Sequence, residues 1–204
     1  MVKAPAQEPV EIRILELAAS HIRKFGLRRT TIVSIAEEAG MSHANIYRYF
    51  PSKAALVEAV TDYWLRPIEG DLRNIADGPD PAYDKLERIL SALQRAYRDK
   101  LEQDSNLFQI FADATAKSTG ISRRHRNRVL GEVQRVIDEG MAGGAFVNGD
   151  QRRALALVFD GLFRFLHPVA VHLDRESRRE QLNARFDRLL ALVLRSLVQG
   201  RQKL

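Results

Sequence analysis

The chain has 204 residues, of which 45% are hydrophobic and 28% are charged, and its formal net charge at pH 7 is +6. This composition is that of a globular protein with a sizeable core and excludes wholesale disorder. The absence of cysteine excludes disulfide bonds, thiolate catalysis and cysteine-ligated zinc. No apolar run approaches the roughly 20 residues that span a bilayer, and we expect a cytoplasmic protein that does not engage a membrane.

Helical periodicity dominates the chain from its first third onward. We predict an all-α fold of about nine helices, arranged as a small N-terminal unit and a bundle. The first helix should run from Val10 to Phe25, with Gly26 as its stop. The second should run from Thr31 to Ala39 and close at Gly40, and the third from Ser42, as N-cap, to Phe50.

A fourth helix is predicted from Lys53 to about Arg66, capped by Ser52, because Pro67 and Gly70 should end, kink or weaken it. The later helices are predicted at Pro81 to Leu101 behind an Asp80 N-cap, from Ser105 onward, at Ser122 to Met141, at Ala154 to His172 behind an Asp150 cap, and at Arg175 to Gln199. This pattern divides the chain into residues 1–53 and residues 54–204.

The second and third helices are typical of a helix-turn-helix that enters the major groove of DNA. Apolar side chains on each, among them Ile35 and Ile46, should pack the two helices together, and Ala39 and Gly40 should keep the turn tight by leaving no large side chain there. The residues left to point outward are His43, Ala44, Asn45, Arg48 and Tyr49. An ordinary solvated helical hairpin is the alternative.

These outward side chains suit the reading of DNA. Asn45 can make a bidentate pair with adenine, and Arg48 can bind guanine or a phosphate. Thr31, Ser42 and Lys53 bring hydroxyls, helix N-terminal amides and an ammonium group toward the DNA backbone. The first 53 residues also carry eight Lys or Arg against five Asp or Glu, which makes this quarter the basic end of the chain.

The segment FGLRRTTIVSIAEEAGMSHANIYRYFPSKAALVEAV, residues 25–60, resembles the TetR family of bacterial transcription regulators. It contains that family's paired threonines, Ile-Ala pair, Ala-Gly-x-Ser, Ile-Tyr, aromatic-Phe ending and Ser-Lys in order. Ala44 and Asn45 depart from the glycine and small residue often found there, which predicts a different operator sequence. The resemblance covers about the first third of the chain.

The resemblance implies a homodimer that binds palindromic double-stranded DNA and represses transcription until a small molecule releases it. Activation of transcription is the alternative, since the direction of regulation depends on where the operator lies relative to the promoter. Tyr47, Tyr49 and Lys53 match positions that contact the DNA backbone, and Thr31 and Ser42 match caps that face phosphates. The complete predicted DNA-binding set is Arg28, Thr31, Ser42, His43, Ala44, Asn45, Tyr47, Arg48, Tyr49 and Lys53.

The family's divergent C-terminal bundle implies a dimer interface and a ligand pocket, and the residues suggest where each lies. The next-to-last predicted helix has an apolar stripe and the final one is apolar over more than one face. The interface candidates are Leu157, Gly161, Phe165, Leu190, Leu194 and Leu197. The pocket candidates are Trp64, Leu90, Leu93, Tyr97, Phe108, Phe111, Ala112, Thr115 and Phe163, which suggest a lipophilic or aromatic effector. Ordinary intrachain core is the alternative for both sets.

The remaining chemistry-bearing residues give no further site. The basic run Arg123 to Arg128 reads better as a solvated helix face than as a second nucleic-acid site. His167 and His172 are poor metal candidates without a carboxylate pair nearby. No catalytic constellation stands out, so we expect neither an enzyme nor a cofactor. The rival classes are a non-specific architectural DNA-binding protein and a helical bundle whose motif has lost its DNA function.

Overall fold

The computed structural model describes residues 9–199, and within that range it contains eleven helices and no strand. The predicted all-α architecture is therefore confirmed, with two more helices than expected. Their bounds are α1 Val10–Arg29, α2 Ile32–Ala39, α3 His43–Tyr49, α4 Lys53–Ala76, α5 Ala82–Gln103, α6 Ser105–Ala116, α7 Gly120–Ala142, α8 Gln151–Gly161, α9 Phe163–Leu166, α10 Pro168–Leu173 and α11 Arg179–Gln199. None of these helices is long and apolar enough to cross a membrane.

The helical geometry of α1 is interrupted at Gly26, the residue predicted to stop the first helix. Gly26 lies inside α1 with φ 75° and ψ 165°, so the helical residues that follow it start in a new direction. The buried Thr30 hydroxyl donates to the Gly26 carbonyl over 2.9 Å and fixes the bend. This bend turns the chain into the helix-turn-helix.

Helix α4 is longer than predicted, because it passes through Pro67 and continues to Ala76. The proline ring is exposed, while Leu65, Ile68 and Leu72 on either side of it are buried in the core. Their burial offsets the backbone hydrogen bond that proline cannot donate. As a result, one helix of 24 residues runs from the helix-turn-helix deep into the bundle.

The predicted helix from Ala154 to His172 is instead three short helices, α8 to α10. Leu162 interrupts the first pair with φ −108° and ψ 13°, and His167 is extended at φ −98° and ψ 120°. The second break has a plain cause, since a residue that precedes proline is pushed out of the helical region and Pro168 starts α10.

Two predicted helix starts also need correction, and a third is confirmed. Asp80 does not cap α5, because Pro81 holds that position without a side-chain cap and Asp80 pairs with Arg88. The last helix starts at Arg179, four residues after the predicted start. Asp150 does cap α8, since its carboxylate accepts from the backbone N–H of the second residue over 2.9 Å.

The core of the bundle contains a cluster of four aromatic rings from α4, α5 and α6. Trp64, Tyr97, Phe108 and Phe111 meet edge to face, with centroid separations from 5.8 to 6.4 Å. All four are buried, and such pairs favour this geometry because a ring edge is positive and a ring face is negative. The cluster fixes α4 against the two bundle helices.

Candidate DNA-binding surface and bundle cavity

Helix α2 begins at a reciprocal cap. The Thr31 hydroxyl accepts from the Ser34 backbone N–H at 3.0 Å, and the Ser34 hydroxyl accepts from the Thr31 backbone N–H at 3.1 Å. Two of the helix's four unpaired N–H groups would otherwise need water. The predicted threonine cap is confirmed, and Thr31 at the start of α2 is exposed.

The turn between α2 and α3 depends on Gly40 for a reason that differs from the predicted one. A side chain at this position would meet nothing within 4 Å, so space is not the constraint. The backbone has φ 65° and ψ 35°, the left-handed region, and its N–H bonds the carbonyls of Ala36 and Glu37. Glycine is favoured there because a Cβ in this region clashes with the backbone.

We expect Gly40→Ala to lower the free energy of unfolding by about 1–2 kcal/mol, the cost of placing an L-residue in the left-handed region. Gly70 in α4 is a matched control, since a Cβ there also meets nothing within 4 Å but the backbone is helical. Gly70→Ala should raise the free energy of unfolding by about 0.5–1 kcal/mol. Denaturant titrations of both variants test the opposite signs, and two shifts of the same sign would refute this explanation.

Helix α3 is anchored on one side and open on the other. The Ser42 hydroxyl caps it by accepting from the Asn45 backbone N–H at 3.2 Å, and Ile46 and Phe50 are buried in the hydrophobic core. The other six residues of α3 are exposed except for the half-buried Asn45, and we call them the reading face: His43, Ala44, Asn45, Tyr47, Arg48 and Tyr49. Tyr47 and Tyr49 are 49% and 42% exposed, large fractions for side chains with apolar rings.

The predicted phosphate-binding residues lie at the ends of helices α1 to α4. Arg28 is exposed at the end of α1, beside Arg29, and Thr31 and Ser42 are exposed at helix starts. Lys53 is half-buried, and its ammonium donates to the Leu27 carbonyl over 2.9 Å, a tie that the sequence pattern did not suggest. An ammonium group has three donors, so this bond leaves two of them for a phosphate.

Asp104, between α5 and α6, links the helix-turn-helix to the bundle. Its carboxylate pairs with Arg23 of α1 and accepts from Trp64 Nε1 of α4 at 2.8 Å. Burial alone would raise the pKa of Asp104, but the hydrogen bonds from Arg23 and Trp64 outweigh it and lower that pKa. Asn106 adds a bond of 3.1 Å from its amide to the Arg23 carbonyl. A shift of α1 or α4 therefore reaches the bundle directly.

A cavity of about 320 Å³ lies between α5, α6, α7, α8 and α9. Four predicted pocket residues line it, namely Tyr97, Phe111, Thr115 and Phe163. We call this space the bundle cavity. The other five candidates lie outside its lining and are buried core residues: Trp64, Leu90, Leu93, Phe108 and Ala112.

Several cavity residues were not among the predicted ones, and half of these lie on α7. Ser122, His125 and Val129 recur at helical spacing and are buried, and they bring Arg126 to the rim beside them. The run of arginines around them reads as a solvated surface, which hid this inward stripe. The sequence feature that could have revealed this stripe is the spacing of three and four residues between Ser122, His125 and Val129, because such residues lie on one face of a helix.

His125 joins the bundle cavity to α4 through a buried hydrogen-bonded chain. Its Nε2 lies 2.9 Å from the Tyr97 hydroxyl, and its Nδ1 lies 2.7 Å from Glu69 on α4. Glu69 also accepts from Arg128 over 2.8 Å. Burial first, and then the charge of Glu69, raise the pKa of Tyr97, so this phenol stays neutral and can donate.

The structure places most of the predicted dimer-interface side chains inside their own chain. Phe165, Leu190, Leu194 and Leu197 are buried there, so in this conformation they present no surface to a second copy. Gly161 is close to α11 of the same chain, since a Cβ there would lie 2.9 Å from Val193. Of the predicted set, Leu157 and Gly161 are the exposed residues.

Comparisons with known proteins agree with this geometry. The chain shares 27% identity over 138 residues with the HTH-type transcriptional repressor KstR2 of Mycolicibacterium smegmatis, which is 65% of either chain. It shares 32% over 130 residues with the HTH-type transcriptional regulator RutR of Escherichia coli, which is 62% of this chain and 56% of RutR. The chain thus spans less than two thirds of each of these relatives.

A solved structure and two family models extend the comparison. FadR from Bacillus subtilis, solved in complex with stearoyl-CoA, has the same fold at a TM-score of 0.64 and 20% identity, over 94% of this chain and 99% of FadR. The model of bacterial regulatory proteins of the tetR family matches residues 14–60. The model of the tetracyclin repressor-like C-terminal domain matches residues 82–190, more than half of the chain. The chain therefore belongs to the TetR family of bacterial transcriptional regulators.

Proposed function

We propose that the protein is a homodimeric, sequence-specific repressor that acts in the cytoplasm on palindromic DNA and is released by a small-molecule effector. In this proposal residues 1–53 bind DNA, and residues 54–204 hold the effector and the dimer contact. Its role is regulatory, with no catalytic step. The observation that carries the proposal is the reading face, because α3 is capped and anchored on one side and presents amide, guanidinium and phenol groups on the other.

The relatives support the repressor and effector parts of the proposal. KstR2 is a transcriptional repressor by name, and FadR was solved with a bound small molecule. In this chain the bundle cavity offers about 320 Å³ for an effector, within the usual range of roughly 300–1,000 Å³ for ligand sites.

Helix α4 is the element through which an effector would act. It begins at Lys53, four residues after the last residue of the reading face, and Glu69 in its second half joins the hydrogen-bonded chain from the cavity. An effector that binds one orientation of α4 more tightly than another shifts the dimer toward it. The spacing between the two reading faces, about 34 Å for successive major grooves, would then no longer match DNA.

The dimer contact in this proposal uses the exposed face of α8 and α11. Leu157 and Leu192 are 39% and 55% exposed, and Val198 is also exposed near the end of α11. These replace the buried leucines as the apolar surface for a second copy. In this proposal the twofold pairing brings two identical reading faces to the same side of the dimer.

The salt dependence of DNA binding tests the proposal. Arg28, Arg29, Arg48 and Lys53 supply four cations per protomer, so a dimer would release about eight counterions, and log affinity should fall against log salt with a slope of roughly −7. Affinity for a cognate palindrome should exceed that for a scrambled duplex by at least about 10³. Fluorescence anisotropy on both duplexes measures the two quantities. A ratio near one would favour the architectural class, and a slope near zero would refute the phosphate contacts.

A further inference from the structure

The bundle cavity has one apolar wall made largely of aromatic rings. Phe111 and Phe159 line it, and Phe163 contributes a ring that is 51% exposed at its rim. The Phe163 ring also stacks on His167, with centroids 4.4 Å apart and an interplanar angle of 20°. Flat rings of this kind favour a ligand with an aromatic body, since offset and edge-to-face contacts stabilise ring pairs beyond their buried area.

The other wall carries unpaired positive charge. Arg124 and Arg128 of α7 are paired with Glu58 and Glu69. Arg123 and Arg126 of the same helix line the cavity instead, and within residues 9–199 neither guanidinium group has an ion-pair partner. Guanidinium groups bind carboxylates by two parallel hydrogen bonds, so this wall is suited to an acid.

The remaining polar residues at this wall do not cancel the charge. Asp160 is the acidic residue among those that line the cavity, and its negative charge is outnumbered by the two positive charges of Arg123 and Arg126. Burial first, and then the charge of Arg126, lower the pKa of His167, so its imidazole is a neutral partner at pH 7. Its buried Nδ1 has no hydrogen-bond partner within the described part of the chain.

We propose that the bundle cavity binds a small aromatic carboxylic acid, with the carboxylate held by Arg126 and Arg123 and the ring against Phe111, Phe159 and Phe163. The inference rests on the proposed function, since it names the class of effector for that cavity. A volume of about 320 Å³ is at the lower end of the usual range, which favours a one-ring acid over a long acyl chain.

The position of His125 explains how such an acid would be sensed. Its ring lies 5.3 Å from the Phe111 ring, which lines the cavity, and its two nitrogens hold Tyr97 and Glu69. An aromatic ring packed on Phe111 therefore presses on the group that connects the cavity to α4. The aromatic wall comes from α6, α8 and α9 and the charged wall from α7, and both line the same cavity, so a single ligand would contact both.

Isothermal titration of the full-length protein with benzoate, phenylacetate and 3-phenylpropionate tests the proposal, with 3-phenylpropionamide and 3-phenylpropylamine as uncharged and cationic counterparts. At least one acid should bind, and should do so at least about tenfold more tightly than the amide, which corresponds to about 1.4 kcal/mol. Arg126→Gln should remove that preference and leave amide binding unchanged. Arg95→Gln, an exposed arginine of α5 outside the lining, is the control and should change neither.

Three results would overturn the proposal: no acid of the series binds, the amide or the amine binds as well as the acids, or Arg126→Gln and Arg123→Gln leave acid affinity unchanged in variants that melt like the wild type. Operator binding measured in the same samples separates this failure from that of the proposed function. Specific DNA binding without acid binding would refute the ligand class alone. Acid binding in a protein without operator preference would support the ligand class and refute the repressor function.

Discussion

Asn45→Ala is expected to weaken binding to the cognate palindrome by about 2–6 kcal/mol, because each lost bidentate amide–adenine pair costs about 1–3 kcal/mol and a dimer loses two. Asn45 lies in the first turn of α3, where its backbone N–H is held by the Ser42 hydroxyl. Its amide is part of the reading face, so its loss should affect specific DNA more than random DNA. Competition binding with scrambled duplexes measures the difference.

Lys53→Ala is the matched control for that variant, since Lys53 borders the reading face and is assigned to phosphates. It should weaken binding to all sequences alike and make the salt slope less negative by about one per protomer. The Asn45 substitution should leave the slope unchanged. Equal losses on specific and random DNA for Asn45→Ala would contradict its role in base recognition.

Phe108→Ala should lower the free energy of unfolding by about 3–5 kcal/mol, the usual cost of deleting a buried aromatic ring. Phe108 is fully buried, and its ring contacts those of Trp64, Tyr97 and Phe111. Deleting it leaves a void where α4, α5 and α6 meet, and the surrounding rings can refill it only in part. Denaturant unfolding of the wild type and of the Phe108→Ala variant measures this difference in the free energy of unfolding.

Phe163→Ala is the control for the Phe108 variant. It removes a ring of the same size that is half exposed at the rim of the bundle cavity, so stability should change by no more than about 1 kcal/mol. If both variants lost the same stability, the aromatic cluster would not have the structural role assigned to it. A decrease in the free energy of unfolding below about 1 kcal/mol for Phe108→Ala would also contradict the structural role of the aromatic cluster.

The local features of the helix-turn-helix could be predicted from the sequence because each depends on a few adjacent residues. Thr31 and Ser42 are caps because their hydroxyls reach N–H groups three residues ahead. Gly40 ends α2 because the residue at this position has a left-handed backbone conformation, which favours glycine. The break between α9 and α10 also depends on adjacent residues, since His167 precedes Pro168. The apolar periodicity of the segment nevertheless favoured one continuous helix.

Features that depend on tertiary packing could not be predicted in this way. Pro67 looked like the end of α4, and only the burial of its neighbours keeps the helix intact. Leu190 and Leu194 have the same pattern whether their own chain or a second copy covers them. Arg126 is exposed, as predicted for a solvated helix face, but sequence spacing does not reveal the cavity beside α8 and α9 that it also lines.

Selection of bound sequences from random duplex DNA by the purified protein tests the proposed function most directly. A sequence-specific dimer should enrich a palindrome whose half-sites are centred about one DNA turn, roughly 34 Å, apart. Asn45→Ala should relax the preference at one position in each half-site. A pool that stays random after repeated selection, while binding falls with salt, would contradict sequence-specific repression.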